Sequence, residues 1–235
     1  MKALEWLGLG ALVGGGTWLA SRFAGKEEPT VSNFKPSGAK VGPPIKPGVE
    51  TVANVTRSKF ALHHGGYRPM VDVRLIVIHS AEGGSADGVA AWFADPRSTG
   101  STHLAIDDKE VIRTLPDEVF PFGAPGVNRE GLHVEMVGFA KWSRAEWLAH
   151  PRELERAAIA IRSWSDHYGI PLVFLDAAAI AKGAPRGVTT HHEATIAFSN
   201  GKGHWDPGPG FPMDVLIEKA RALAPIDPSV DPSVA

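Results

Sequence analysis

Between residues 58 and 224, short apolar runs alternate with helical hydrophobic stripes, a pattern that is typical of an α/β domain. The run at 74–79 is the most apolar and is rich in β-branched residues, which predicts a buried strand. Further strands are predicted at 103–106, 111–115, 132–137, 172–175 and 188–190. The sequence therefore predicts several short strands rather than a helical bundle.

Three helices are predicted between and after these strands. The clearest covers residues 152–168, where six apolar side chains form one stripe and Gly169 provides a stop signal. Ser85 is placed to cap the N-terminus of a helix over 86–94, which ends before Pro96. A last helix is predicted over 214–223, because its apolar residues also share one face.

The first 24 residues differ from the rest, because residues 6–20 carry no charge and are rich in Leu, Gly and Ala. A membrane-spanning helix needs about 20 apolar residues, so this run is short for one. Three interpretations stay open: a transmembrane or signal-anchor helix, a secretory signal, and a helix docked on a partner protein or on the domain itself. We expect an apolar helix over 1–24 that attaches the protein to a membrane or to a particle.

Two further segments lack hydrophobic periodicity. Residues 25–57 are rich in Pro and Gly and predict a linker between the N-terminal helix and the domain at 58–224. Residues 225–235 contain three prolines and predict a flexible tail. The sequence contains no obvious second domain.

The composition limits the chemistry that this domain can perform. The 235 residues include no cysteine, which excludes disulfide scaffolds, thiol nucleophiles and Cys-ligated metals. Ten histidines are available, so a metal site would use His, Asp or Glu. A net charge of -2 gives no reason to expect nucleic acid as a partner.

Candidate ligands occur at three separated places. His79 ends the most apolar strand, and ligands of α/β proteins gather at strand ends. His191 and His192 follow the short strand at 188–190, where an extended chain would turn only one of them toward a given site. His204 and Asp206 lie two residues apart in a Pro- and Gly-rich loop and can point to one place. Taken singly, each also fits a hydrogen-bonded structural histidine or a solvated turn.

Glu135 is a fourth candidate, in an otherwise apolar strand. Strand alternation places His133 and Glu135 on one face and their apolar neighbours on the other. A carboxylate in such surroundings has its pKa raised by desolvation, which suits a general base or acid, although a solvated sheet face is the alternative. Two imidazoles, one carboxylate and a nearby glutamate together favour a catalytic zinc site with one position left for water.

Five segments carry a resemblance to a known family. They are IVIHS at 76–80, STH at 101–103, LHVEMVG at 132–138, TH at 190–191 and DPGP at 206–209. In this order they resemble the zinc-dependent N-acetylmuramoyl-L-alanine amidases of the amidase-2 group, which are related to peptidoglycan recognition proteins. The resemblance covers roughly residues 70–223, and it is strongest to amidase domains of endolysins from phages of actinobacteria.

The resemblance implies a mixed central β-sheet flanked by helices, and it assigns roles to the candidate residues. It implies Zn²⁺ bound by His79, His191 and Asp206, with Glu135 as the catalytic glutamate. His204 occupies a position where many members have a lysine that stabilises the oxyanion. Whether His204 is such a donor or itself a metal ligand stays open at this point.

The resemblance also implies the substrate and the place of action. We expect a hydrolase that cleaves peptidoglycan between N-acetylmuramic acid and the L-alanine of the stem peptide, in the bacterial cell wall outside the cytoplasm. An endolysin or a virion-associated lysin is the expected context. The alternative is a peptidoglycan-binding module without catalysis, carried by a phage particle or a secretion machine. The oligomeric state and the preferred stem peptide stay open.

Overall fold

The computed structural model describes residues 41–226. The helix predicted over 1–24, the linker residues 25–40 and the tail residues 227–235 lie outside the described residues. Within 41–226, none of the helices combines the length and the hydropathy that crossing a membrane requires.

The described part is built on one six-stranded sheet. Its strands are β1 (Arg57–Ser58), β2 (Leu75–Ser80), β3 (Leu104–Ile106), β4 (Val111–Arg113), β5 (Gly131–Met136) and β6 (Gly187–Thr190), in the order β1-β4-β3-β5-β2-β6. Strands β3 and β4 pair antiparallel, whereas all other neighbours pair parallel. The predicted mixed sheet is confirmed. The strand predicted at 172–175 is reduced to a single bridge between Phe174 and Val188.

Six α-helices flank the sheet in the described part. They are α1 (Ala86–Phe93), α2 (Arg144–Leu148), α3 (Pro151–Tyr168), α4 (Ala177–Ile180), α5 (His191–Phe198) and α6 (Met213–Ala222). The helix predicted over 86–94 is confirmed, with the Ser85 hydroxyl accepting a hydrogen bond from the Gly88 amide. The helix predicted over 152–168 is also confirmed, and Gly169 ends it in the left-handed conformation at φ 63°.

The main core lies between the sheet and helices α3 and α6. Ile76 and Ile78 of β2 and Val134 of β5 pack there, together with the fully buried Trp164 of α3. On the opposite face, Leu75 and Val77 of β2 belong to a smaller apolar cluster that includes α4 and α5 residues. Strand β2 is thus buried on both faces, as its continuous apolar run predicts.

Part of the segment predicted as a linker contacts the domain. Val52 is fully buried in the main core, and Glu50 pairs with the buried Arg113. Residues Arg57–Ser58 form β1 against β4. These contacts anchor the chain just before residue 58, while the division into four segments remains a prediction.

Candidate metal centre

A cleft of about 690 Å³ opens at the carboxyl ends of β2 and β5. All five candidate site residues line this cleft, namely His79, Glu135, His191, His204 and Asp206. Strands β2 and β5, the start of α5 and the loop before α6 each contribute a part. The fold therefore brings together residues that are widely separated along the chain.

His79 lies in strand β2, which is hydrogen-bonded to β5 on one side and β6 on the other, and its side chain is almost fully buried. Its Nδ1 atom lies 3.3 Å from Oδ2 of Asp206, and its Nε2 atom lies 2.9 Å from Nδ1 of His133. Burial, with a smaller contribution from the neighbouring His191, lowers the pKa of His79 to about 4 even though Asp206 opposes the shift. The ring is therefore neutral near pH 7, as metal binding requires.

His191 is the first residue of α5, and Thr190 caps that helix by accepting a hydrogen bond from the Glu193 amide. Its Nδ1 atom lies 3.1 Å from Oδ1 of Asp206. His192 is not in the cluster, although its backbone amide donates to the carbonyl of Asp206. The extended chain expected here is wrong, since the two rings diverge through the helical rotation between successive residues.

Asp206 connects the imidazoles. Its carboxylate contacts His79, His191 and His204, and the residue is only 7% exposed. Burial alone would raise the pKa of this carboxyl group, but the hydrogen bonds from His191, His204 and His79 hold it well below its usual value. Asp206 is therefore ionised and available as an anionic ligand.

The donor set fits a small divalent cation. His79, His191 and Asp206 each offer one ligand atom, and these atoms all lie within 4.8 Å of one another. Ligand atoms about 2.0–2.1 Å from a tetrahedral zinc would be roughly 3.3 Å apart. Oδ2 of Asp206 lies 3.3 Å from Nδ1 of His79 and its Oδ1 lies 3.1 Å from Nδ1 of His191, so each imidazole is within this distance of one carboxylate oxygen. Nε2 of His191 is buried without a hydrogen-bond partner in the described part, so one polar atom at the cluster remains unsatisfied.

Glu135 projects into the same cleft from β5. Its Oε2 atom is buried and has no hydrogen-bond partner among the described residues. Burial raises the pKa of Glu135 well above its ordinary value, and the negative charges of Asp206 and Glu82 raise it further. Burial thus favours the protonated form of this carboxyl group, whereas a cation bound beside it would favour the ionised form, so the group suits proton transfer.

His204 lies at the open side of the cluster with its side chain half exposed. Its ring stacks on that of His191 at 4.3 Å between ring centroids, and its Nδ1 atom is 3.6 Å from Oδ1 of Asp206. The interaction with the Asp206 carboxylate raises the pKa of His204. His204 is not among the three described residues whose ligand atoms converge.

Two residues of the site were not assigned roles from the sequence. His133 contacts His79 directly, and Glu82 lines the cleft while accepting hydrogen bonds from the Ala140 amide and the Ser80 hydroxyl. Glu82 has φ 49°, which is unusual for a residue other than glycine. Strand alternation places His133 on the same face as Glu135. Its contact with His79, however, exists only because β2 lies beside β5 in the sheet.

Comparison with known proteins links this geometry to a family. Residues 69–209 match the sequence profile of the family described as N-acetylmuramoyl-L-alanine amidase. No curated protein sequence matches the chain significantly.

Solved structures share the fold at low sequence identity. The Staphylococcus aureus hydrolase AmiA in complex with its ligand is 20% identical, over 72% of this chain and 82% of that chain, with a TM-score of 0.51. The catalytic domain of XlyA is 18% identical, over 71% of this chain and 99% of that chain, with a TM-score of 0.50. A mutant endolysin from Bacillus subtilis is 20% identical, over 71% and 99%, with a TM-score of 0.49.

Proposed function

Because the chain belongs to the N-acetylmuramoyl-L-alanine amidase family, whose profile matches residues 69–209, we propose that this peptidoglycan hydrolase is a zinc enzyme with its metal on His79, His191 and Asp206. The observation that carries the proposal is the convergence of these three buried groups beside Glu135 in one open cleft. Two neutral imidazoles and one carboxylate match the ligand set of catalytic zinc sites.

When bound, zinc supplies a Lewis acid that lowers the pKa of water to about 7 and polarises the scissile carbonyl. Glu135 is the group placed to accept the proton of the attacking water, because it lines the cleft and its buried Oε2 atom has no hydrogen-bond partner among the described residues. Its raised pKa then allows it to pass that proton to the leaving amine of L-alanine.

His204 is the donor proposed for the oxyanion that develops on the substrate carbonyl. It lies next to the cluster, is half exposed and therefore reachable by substrate, and has its pKa raised by Asp206. A protonated imidazole in this position supplies positive charge where the transition state becomes negative. This assignment leaves the three buried groups as the metal ligands.

The open cleft also supports a large substrate. Trp205 lines it and is 39% exposed, and Phe122 also lines it. We assign the wall of the bacterial cell, outside the cytoplasm, as the place of action, and the lysis function of a phage as the context. In this proposal, residues 58–224 form the amidase domain together with the packed residues 50–57 that precede them, the residues from 25 up to that point form a linker, 1–24 an attachment segment and 225–235 a tail.

The proposal is tested by incubating the purified protein with cell walls and measuring newly formed N-terminal L-alanine. We expect release that stops after chelation and returns with added Zn²⁺. Tight binding to walls without any release at saturating Zn²⁺ would instead support the non-catalytic binding module. Release that is insensitive to chelation would refute the zinc mechanism.

A further inference from the structure

The two ring nitrogens of His79 face different partners. Nδ1 faces Asp206 at 3.3 Å, inside the candidate metal cluster, whereas Nε2 faces Nδ1 of His133 at 2.9 Å, away from the cluster. The rings of His79 and His133 are stacked, with 5.1 Å between centroids and an angle of 27° between planes. His79 is thus held from both sides.

The positions of the ring protons decide which histidine donates the hydrogen bond between His79 and His133. A histidine that binds a metal is neutral, and a neutral imidazole ring carries one proton on one of its two nitrogens. For Nδ1 of His79 to bind a metal, its proton must sit on Nε2. Nε2–H then donates to Nδ1 of His133, and the single proton of His133 lies on its own Nε2.

The fold makes room for the His133 ring with two glycines. A Cβ atom at Gly123 would lie 2.6 Å from Nδ1 of His133, and one at Gly131 would lie 2.6 Å from its Nε2. The backbone of His133 is fixed as well, because its amide donates to Nδ1 of His103 and its carbonyl accepts from the His103 amide. Any side chain larger than glycine at either position would displace this ring.

His133 also leaves a polar atom unsatisfied. Its Nε2 atom is buried without a hydrogen-bond partner in the described part of the chain, and the residue is 0% exposed. Leucine could occupy this volume without burying an unpaired donor. A histidine at this position is therefore explained by its contact with His79 rather than by packing.

We propose that His133 is a positioning residue that accepts the Nε2–H of His79 and so fixes the tautomer and the orientation in which His79 presents Nδ1 to the metal. This inference rests on the proposed zinc function and extends it to a residue outside the ligand set. Partners of this kind orient metal-ligating imidazoles, and their removal typically weakens metal affinity by about 10–100-fold.

Zinc dissociation constants of the full chain, measured by competition with a chromophoric chelator, test the proposal. We expect His133→Leu to bind Zn²⁺ about 10–100-fold more weakly. His133→Asn should restore most of the affinity, because its Oδ1 atom can accept from His79. Val134→Ala is the matched control: it truncates an equally buried side chain of the same strand on the opposite face, and should retain the affinity of the unmodified protein.

Unchanged affinity in His133→Leu would overturn the proposal, as would an equal loss in His133→Asn or in Val134→Ala. If the unmodified protein bound no Zn²⁺, the proposed function itself would fail first.

A second measurement does not depend on how the variants fold. In ¹H–¹⁵N spectra of histidine side chains in the zinc-loaded unmodified protein, we expect His79 to carry its proton on Nε2. A proton on Nδ1 would overturn the proposal.

Discussion

His79 and Glu135 occupy paired positions of the adjacent parallel strands β2 and β5, and both line the cleft. Side chains at paired positions of neighbouring strands lie side by side on the same face of a sheet. The distance between the proposed metal ligand and the proposed proton acceptor is therefore set by backbone hydrogen bonds rather than by a loop. A substitution at Glu135 can therefore change proton transfer while His79 keeps its position for metal binding.

We expect Glu135→Gln to lower kcat by about 10²–10⁴-fold, because the variant cannot accept the proton of the attacking water. Zinc content should stay unchanged, since Glu135 is not one of the three convergent ligand groups. Turnover of a soluble muropeptide, together with metal analysis of the same sample, checks both expectations. Retention of near-normal kcat would show that another group is the base.

Asp206→Asn should weaken zinc binding by more than the 10–100-fold typical of outer partners, because it removes the anionic ligand. Asp214→Asn is the matched control, since Asp214 is exposed and pairs with Arg144 at 2.7 Å on the surface. Zinc dissociation constants of the two variants provide the measurement. Equal affinities would remove Asp206 from the ligand set.

His204→Ala should lower kcat/KM by about 10²–10³-fold, as expected for the loss of an oxyanion donor. The donor is charged only below its pKa, so activity due to it declines as pH rises through that value. Asp206 raises the pKa of His204, which places this decline above the ordinary pKa of histidine, about 6.5.

His204→Lys should move the same decline to higher pH, because an unperturbed lysine stays charged up to about pH 10.4. The profile of kcat/KM against pH for the two proteins is the measurement. Identical alkaline limbs would indicate that His204 does not supply the charge.

Glu153 provides a prediction about stability rather than activity. Burial and, to a smaller extent, the negative charge of Asp108 raise its pKa from 4.5 to about 9, and its Oε1 atom is buried without a partner in the described part. Between pH 4.5 and 9 the folded state holds a proton that the unfolded state has lost, so this group makes the protein less stable as pH rises.

Glu153→Gln should therefore raise the free energy of unfolding at pH 8 by an amount on the order of 1–3 kcal/mol. At pH 4 the difference should nearly vanish, because Glu153 is then largely protonated in both states. Urea unfolding at the two pH values checks this. A gain that is equal at both values would contradict the assigned cause.

Local hydrophobic patterns predicted those helices and strands that are long enough to show a hydrophobic repeat. The apolar run of β2 and the stripe of α3 could both be identified, because burial on both faces and burial on one face leave different sequence signatures. Helices α2 and α4 have only five and four residues, which is too short for a recognisable stripe. Helix α5 begins with two histidines, and its eight residues include few that are buried.

The site residues also differ in whether local sequence could identify them. His79 could be proposed because it ends a strand, and Glu135 because it interrupts an apolar one. The contact of His133 with His79 could not be derived, because it depends on β5 lying next to β2 although β3 and β4 intervene along the chain. Strand order is a property of the whole sheet and leaves no local signature.

The proposed ligands come from strand β2, which lies between β5 and β6, from the first turn of α5 and from the loop that precedes α6. No contiguous stretch of the chain contains all three ligands, so an unfolded or partly synthesised polypeptide lacks the complete metal site. A cell that synthesises this protein would be safe from its wall-cutting action until tertiary structure is complete. Folding itself would then be the step that makes the enzyme able to bind its metal.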